Sequence, residues 1–164
     1  MAEIDLDGMS AMVIDDDPMT RELLSGMLQE LGVSDIRRAR DGRHGLEVLR
    51  GFTPDFVICD ILMEEMGGIE FTKHVRTDPA SPNPYISILM LTGDARIEMV
   101  REARDAGANG FLAKPISVDV LKKRLTATLA EHREFIRSKG YTGPDRRRRD
   151  VPLQGRRDRR KFED

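Results

Sequence analysis

The sequence has one cysteine, no tryptophan and only 5% aromatic residues in 164. A lone cysteine excludes an intramolecular disulfide framework. Cys59 stands inside an apolar run, Phe56-Val57-Ile58-Cys59, where it reads as a small buried hydrophobe rather than a reactive thiol. No apolar run approaches the length needed to cross a bilayer, and the acidic start (Glu3, Asp5, Asp7) does not resemble a secretory leader. These absences point to a cytoplasmic protein with no membrane insertion. What is present is enough apolar residue, 39%, to build one real core.

A net charge of −2 conceals two halves of opposite sign. From Lys139 to Asp164 there are ten Lys/Arg against five Asp/Glu, or +5, which leaves 17 against 24, or −7, for the rest. An acidic body carries a basic tail, and the two are expected to do different jobs.

The body is organised around Phe56-Val57-Ile58-Cys59-Asp60, a short buried strand that ends in an acid. A second run, Ala11-Met12-Val13-Ile14, ends in Asp15-Asp16-Asp17; a third, Ile86 to Leu91, ends in Thr92; a fourth, Gly110-Phe111-Leu112-Ala113, ends in Lys114-Pro115. Between them lie helical patterns: Leu23, Leu24, Met27, Leu28 and Leu31 after Asp17-Pro18; Leu46, Val48 and Leu49 after Asp41-Gly42; Ile69, Phe71 and Val75 after Gly67-Gly68; Ile97, Met99, Val100 and Ala103; and Val118, Leu121, Leu125 and Leu129 after Ser117. With a weaker strand over residues 35–40, strand alternates with helix five times. This predicts an α/β fold, a (βα)5 doubly wound five-stranded parallel sheet of flavodoxin-like type. Residues 1–8 are expected to be a flexible N-terminus, 9–137 the globular body, and 138–164 a disordered tail.

Strand C-termini are where open α/β sheets place their chemistry. Adjacent carboxylates repel unless a cation sits among them, and hard oxygen donors suit Mg²⁺. A phosphoryl group could then bond to Asp60 as the nucleophile, with Lys114 neutralising a phosphoryl oxygen and Thr92 donating a hydrogen bond.

These stretches, together with Ile61-Leu62-Met63, Met90-Leu91-Thr92-Gly93 and Ala106-Gly107-Ala108-Asn109-Gly110, resemble the CheY-like receiver domains of bacterial response regulators over about residues 9 to 133. The resemblance implies that Asp60 is the phosphoacceptor, that Asp16 and Asp60 bind Mg²⁺ directly with the Leu62 backbone carbonyl, and that Asp15 acts through water. It implies a switch pair, Thr92 and Phe111, that remodels the face made by the fourth helix, fifth strand and fifth helix. The sequence departs from the pattern at Glu64, where proline is usual, at Gly67, where aspartate is common, and at Phe111, which lacks a tyrosine hydroxyl. The first two lead to an expectation of a more mobile loop. His44, His74 and His132 have no metal-binding spacing and read as surface residues; Met63 and Met66 read as gap-fillers.

Three readings of the tail stay open: a solvated linker, a nucleic acid contact, and a site for a guanine dinucleotide. Acids within the arginine runs weaken a non-specific phosphate interaction. Arginine can fork onto guanine while a carboxylate accepts from its N1-H/N2-H edge. The extension Tyr141-Thr142-Gly143-Pro144-Asp145-Arg146-Arg147 also resembles that of the Cle group, CheY-like cyclic di-GMP effectors of alphaproteobacteria. That resemblance implies cyclic di-GMP as ligand of Asp145, Arg146, Arg147, Arg148, Arg149, Arg156, Arg157, Arg159 and Arg160, with docking on the flagellar switch as output. The expected protein is a single-domain response regulator, not an enzyme, receiving phosphate from a sensor histidine kinase or phosphotransfer protein. The alternative is a purely phosphorylation-driven switch whose tail is a linker or nucleic acid contact.

Overall fold

The computed structural model describes residues 4–93 and 97–138. Ten elements alternate: β1 (Ser10–Ile14), α1 (Pro18–Glu30), β2 (Asp35–Ala39), α2 (Gly42–Leu49), β3 (Phe56–Asp60), α3 (Gly68–Thr77), β4 (Ser87–Thr92), α4 (Ile97–Ala106), β5 (Gly110–Ala113) and α5 (Val118–Ser138). All strands are parallel, in the order β2-β1-β3-β4-β5. The three inner strands are the continuous apolar runs, because a strand covered by helices on both faces has no polar side to show. β2, with Asp35, Arg37 and Arg38 largely exposed, closes one edge.

Alternate residues of each inner strand feed two separate cores. Ala11, Val13, Phe56, Ile58, Leu89 and Leu91 pack against Leu24 and Leu28 of α1 and Leu121 and Leu125 of α5. Met12, Ile14, Val57, Cys59, Ile88 and Met90 pack against Leu49 of α2, Phe71 and Val75 of α3 and Ala103 of α4. The helices start where the sequence says they should. The Asp17 carboxylate accepts from Met19 N at 3.1 Å, with Pro18 in the first turn, and Asp41 accepts from His44 N at 2.8 Å.

Residues 4–8 differ from the expected loose N-terminus. Ile4 and Leu6 are buried in the α1/α5 core, and Gly8 N donates to Gly32 O at 2.9 Å. Two well-placed apolar residues suffice to hold this lead-in, which acids on either side disguise. The arginine-rich tail from Lys139 lies outside the described residues.

Candidate functional site

The strand order makes the site. From β1 the chain leaves to form the edge strand β2, then returns on the other side of β1 as β3, so the connections at the ends of β1 and β3 diverge and leave a crevice between them. Ile14 of β1 is level with Cys59 of β3, so the next residues, Asp15 and Asp60, reach that crevice side by side. β4 continues the row with Thr92, level with Ala113 of β5, and Lys114 N donates to Thr92 O at 2.9 Å. Thus Asp15, Asp60, Thr92 and Lys114 are brought to one rim by register alone.

One carboxylate oxygen from each of Asp15, Asp16 and Asp60 lies within 4.8 Å of the others. The Lys114 ammonium stands 3.2 Å from Asp60 Oδ2 and 3.5 Å from Asp15 Oδ2. The first contact is a hydrogen bond; the second is an ion pair only. Asp15 is fully buried, and while its Oδ1 accepts from Asp17 N at 2.9 Å, its Oδ2 has no hydrogen-bond partner. Burial therefore raises the Asp15 carboxyl above the ordinary range, the Asp17 amide opposes this, and Asp60 adds repulsion. Partial burial works to lower the Lys114 ammonium, but attraction to Asp60 and Asp15 overrides it and the net shift is upward. Cys59, behind the rim, is raised well above the thiol range by complete burial and then by the two acids, which fits a packing residue and not a nucleophile.

Among the described residues, three acids thus stand around one ammonium, and one buried carboxylate oxygen has no hydrogen-bond donor. That arrangement fits a small, hard divalent cation such as Mg²⁺, for which a few carboxylates with room for water are the usual donors. Asp16 is exposed, so the site is open on one side.

The loop after β3 is pinned at both ends. Ile61 N donates to Leu91 O at 3.0 Å and Gly68 N to Ile61 O at 2.9 Å, while the Leu62 side chain, 58% exposed, turns outward. The glycine pair has a packing reason: a Cβ on Gly67 would come 2.7 Å from Ile61 O, and one on Gly68 would come 2.5 Å from Asp60 O. Close backbone approach is what these glycines allow. Met66 is buried and Met63 packs on the same core, as gap-fillers would. Thr92 is buried at its strand end; Phe111 is half-buried against the α3/α4 core, with the Arg104 guanidinium 5.8 Å from its ring centre.

Two features escaped the sequence reading. Arg21, one turn into α1, donates from Nη1 to the backbone carbonyl of Asp15 at 2.6 Å. Its only sequence signal was a position six residues past the acid, on the flank of α1 facing the strand end. His132 is not a free surface residue: it contacts Tyr85 O and Asn109 Nδ2, bridging α5 to the opposite end of the sheet. The nine tail residues assigned to ligand, Asp145, Arg146 to Arg149, Arg156, Arg157, Arg159 and Arg160, lie outside the described residues.

Comparison with known proteins gives one consistent match. Residues 11–126 fit the family model described as the response regulator receiver domain. Among curated proteins, chemotaxis protein CheY-3 of Vibrio cholerae is 33% identical over 117 residues, 71% of this chain and 88% of that one. Chemotaxis protein CheY of Pseudomonas aeruginosa is 32% identical over 71% of this chain and 93% of its own. Among solved structures, chemotaxis protein CheY4 of Vibrio cholerae superposes with a TM-score of 0.67 at 32% identity, covering 73% of this chain and 98% of that one.

Proposed function

Because the chain belongs to the response regulator receiver domain family, we propose that it is a phosphorylation switch in which Asp60 is the phosphoacceptor and output is made by protein contact. The observation that carries this is the contact of Lys114 Nζ with Asp60 Oδ2 at 3.2 Å, beside the Asp15 and Asp16 carboxylates. Asp16, Asp60 and the Leu62 backbone carbonyl would hold a Mg²⁺ ion, with Asp15 acting through water, and the ion would supply positive charge to offset that of the acids and of the phosphoryl oxygens. An Asp60 oxygen attacks phosphorus; the bond from phosphorus to the donor's histidine nitrogen breaks, and the imidazole leaves with the electron pair. The Lys114 ammonium passes from the carboxylate to a phosphoryl oxygen, and the Thr92 hydroxyl donates to another. The space that Thr92 leaves is taken by the Phe111 ring, which changes the surface around β5. A sensor histidine kinase or phosphotransfer protein is the donor on this reading. The chain itself is a switch with slow self-dephosphorylation rather than an enzyme acting on other substrates.

For the tail we favour cyclic di-GMP as ligand and the flagellar switch as docking partner, with Asp145 and the arginines from Arg146 to Arg160 as the contact set. Support comes from the mixture of arginine and aspartate, which suits guanine edges better than bare phosphate, and from the chemotaxis proteins among the relatives. No helix among the described residues is long and apolar enough to cross a membrane, and a cytoplasmic setting suits both inputs. A switch driven by phosphorylation alone, with the tail a linker or nucleic acid contact, is the second reading, favoured by a family match that spans residues 11–126 and none of the tail.

Both inputs are separable. Intact mass after incubation with acetyl phosphate and Mg²⁺ should show one added phosphoryl group on the wild type and none on Asp60→Asn. Calorimetry with cyclic di-GMP should show binding to the full chain and none to a chain ending at Ser138. Ligand binding that survives the truncation contradicts the tail assignment, and binding to neither leaves the phosphorylation-driven reading.

A further inference from the structure

Asp15 and Asp16 are joined by one peptide unit, and a peptide is planar. Whatever fixes the carbonyl of Asp15 therefore fixes the direction in which the Cα of Asp16 leaves, and with it two of the three acids of the rim. The other hydrogen bonds of the turn fall on either side of that plane. Asp15 N donates to Ala39 O at 3.1 Å, and Asp17 N to Asp15 Oδ1 at 2.9 Å. The carbonyl itself is held by a side chain, Nη1 of Arg21, at 2.6 Å.

Arg21 is in turn fixed from behind. Its backbone N donates to Asp17 O at 3.1 Å, closing the first turn of α1, and its carbonyl accepts from Ser25 Oγ at 2.7 Å. Ser25 Oγ also accepts from Arg38 Nε of β2 at 2.9 Å. A chain of contacts thus runs from the edge strand through α1 to the peptide between the two acids. Arg21 meets Asp15 at the backbone carbonyl. Its reach to the site is through the backbone.

We propose that Arg21 is a positioning residue of the cation site, holding the Asp15–Asp16 peptide so that both carboxylates converge with Asp60 on a divalent ion. The inference rests on the metal reading given above. Side chains that orient metal ligands without touching the metal typically change affinity by about 10–100-fold when removed.

The test is calorimetric titration of the full chain with Mg²⁺, beside thermal unfolding in EDTA. Arg21→Met keeps length and helix preference but cannot donate; it should bind Mg²⁺ about tenfold more weakly than wild type. Arg21→Lys, which can return a single donor, should recover part of that loss. Arg21→Gln, polar but too short to reach the carbonyl, serves if the methionine form does not fold, and carries the same expectation. Glu30→Gln, exposed at the far end of α1, should match wild type. If the Arg21 variants unfold at lower temperature yet bind Mg²⁺ within twofold of wild type, Arg21 is structural only and the proposal fails. If wild type itself binds no Mg²⁺, the metal reading falls instead.

Discussion

The two ends of this parallel sheet each draw charge out of full solvent, and they do so in opposite ways. At the C-terminal ends of the strands, Asp15, Asp16 and Asp60 crowd within 4.8 Å, share one ammonium, and leave Asp15 Oδ2 without a hydrogen bond. At the other end, Arg76 of α3 is half-buried with no acid in ion-pair contact among the described residues, and its guanidinium makes four hydrogen bonds. It donates to Pro84 O at 2.8 Å, to Gly107 O at 3.1 and 2.8 Å, and to Asn109 Oδ1 at 2.8 Å. Asn109 Oδ1 also accepts from Ile88 N at 2.8 Å, and its Nδ2 meets His132 of α5. Gly107, at φ 117°, provides the left-handed turn that aims its carbonyl at Arg76. Burial lowers the Arg76 pKa to about 9, still high enough to keep it charged at neutral pH.

A charge surrounded by donors or acceptors of the right kind is part of the scaffold; a charge surrounded by its own sign is waiting for something. The saturated end ties α3, β4, β5 and α5 together, so the rim can stay under-satisfied without the sheet coming apart. Donors and acceptors are matched at one end, and carboxylates outnumber the cation they face at the other.

The sharpest way to break this division is Arg76→Met. It strips donors from the half-buried Pro84 and Gly107 carbonyls and should cost about 3 kcal/mol, since a hydrogen bond to a charged group is worth roughly 1.5–3 kcal/mol. The midpoint of thermal unfolding should fall by roughly 10 °C, while Mg²⁺ affinity of the folded molecules stays within twofold. Asn109→Ala should behave likewise at about 2 kcal/mol, because it takes the acceptor from the backbone N–H of the fully buried Ile88 and from Arg76 Nη2. A loss of metal affinity with intact folding in either variant would mean that the two ends are coupled.

At the rim the sign reverses. Because the folded pKa of Asp15 is raised above its unfolded value of 3.8, its contribution to metal-free stability is fully present only below about pH 3.8 and is lost as pH rises through the raised folded value. Asp15→Asn should therefore raise the midpoint in EDTA at neutral pH by about 3 °C, the scale of roughly 1 kcal/mol in a domain of this size. That gain should vanish in acid, and added Mg²⁺ should stabilise the variant less than the wild type. A destabilised Asp15→Asn at pH 7 would show that the acid cluster is structural. The smallest effect belongs to a site in neither cluster: Arg37→Ala removes an exposed pair with Asp35 and a ring contact to Phe52, and should stay within about 0.5 kcal/mol.

The rim was legible in the sequence because period and register do the work there. An apolar run that ends in a polar or charged residue announces both a buried strand and where that side chain goes, and Asp60, Asp15, Thr92 and Lys114 all follow that rule. The saturated end was not legible. Arg76, Asn109 and His132 are separated by 33 and 23 positions and sit in no periodic pattern, so only the tertiary meeting of α3, β5 and α5 gives them a purpose. His132 read as surface for that reason. Ile4 and Leu6 were hidden differently, among acids that set the apparent character of the N-terminus while the two apolar residues set its packing. Arg21 sat on a helix flank where an arginine is ordinarily solvated.

The central claim is that the crowded end of the sheet is a phosphoacceptor site. Its most direct measurement is borohydride reduction of the full chain after incubation with acetyl phosphate and Mg²⁺, followed by peptide mapping, because reduction of an aspartyl phosphate leaves homoserine at the modified position. Homoserine at position 60, lost when EDTA replaces Mg²⁺, is the predicted result. Homoserine at another aspartate, or none while calorimetry shows Mg²⁺ bound, would contradict it.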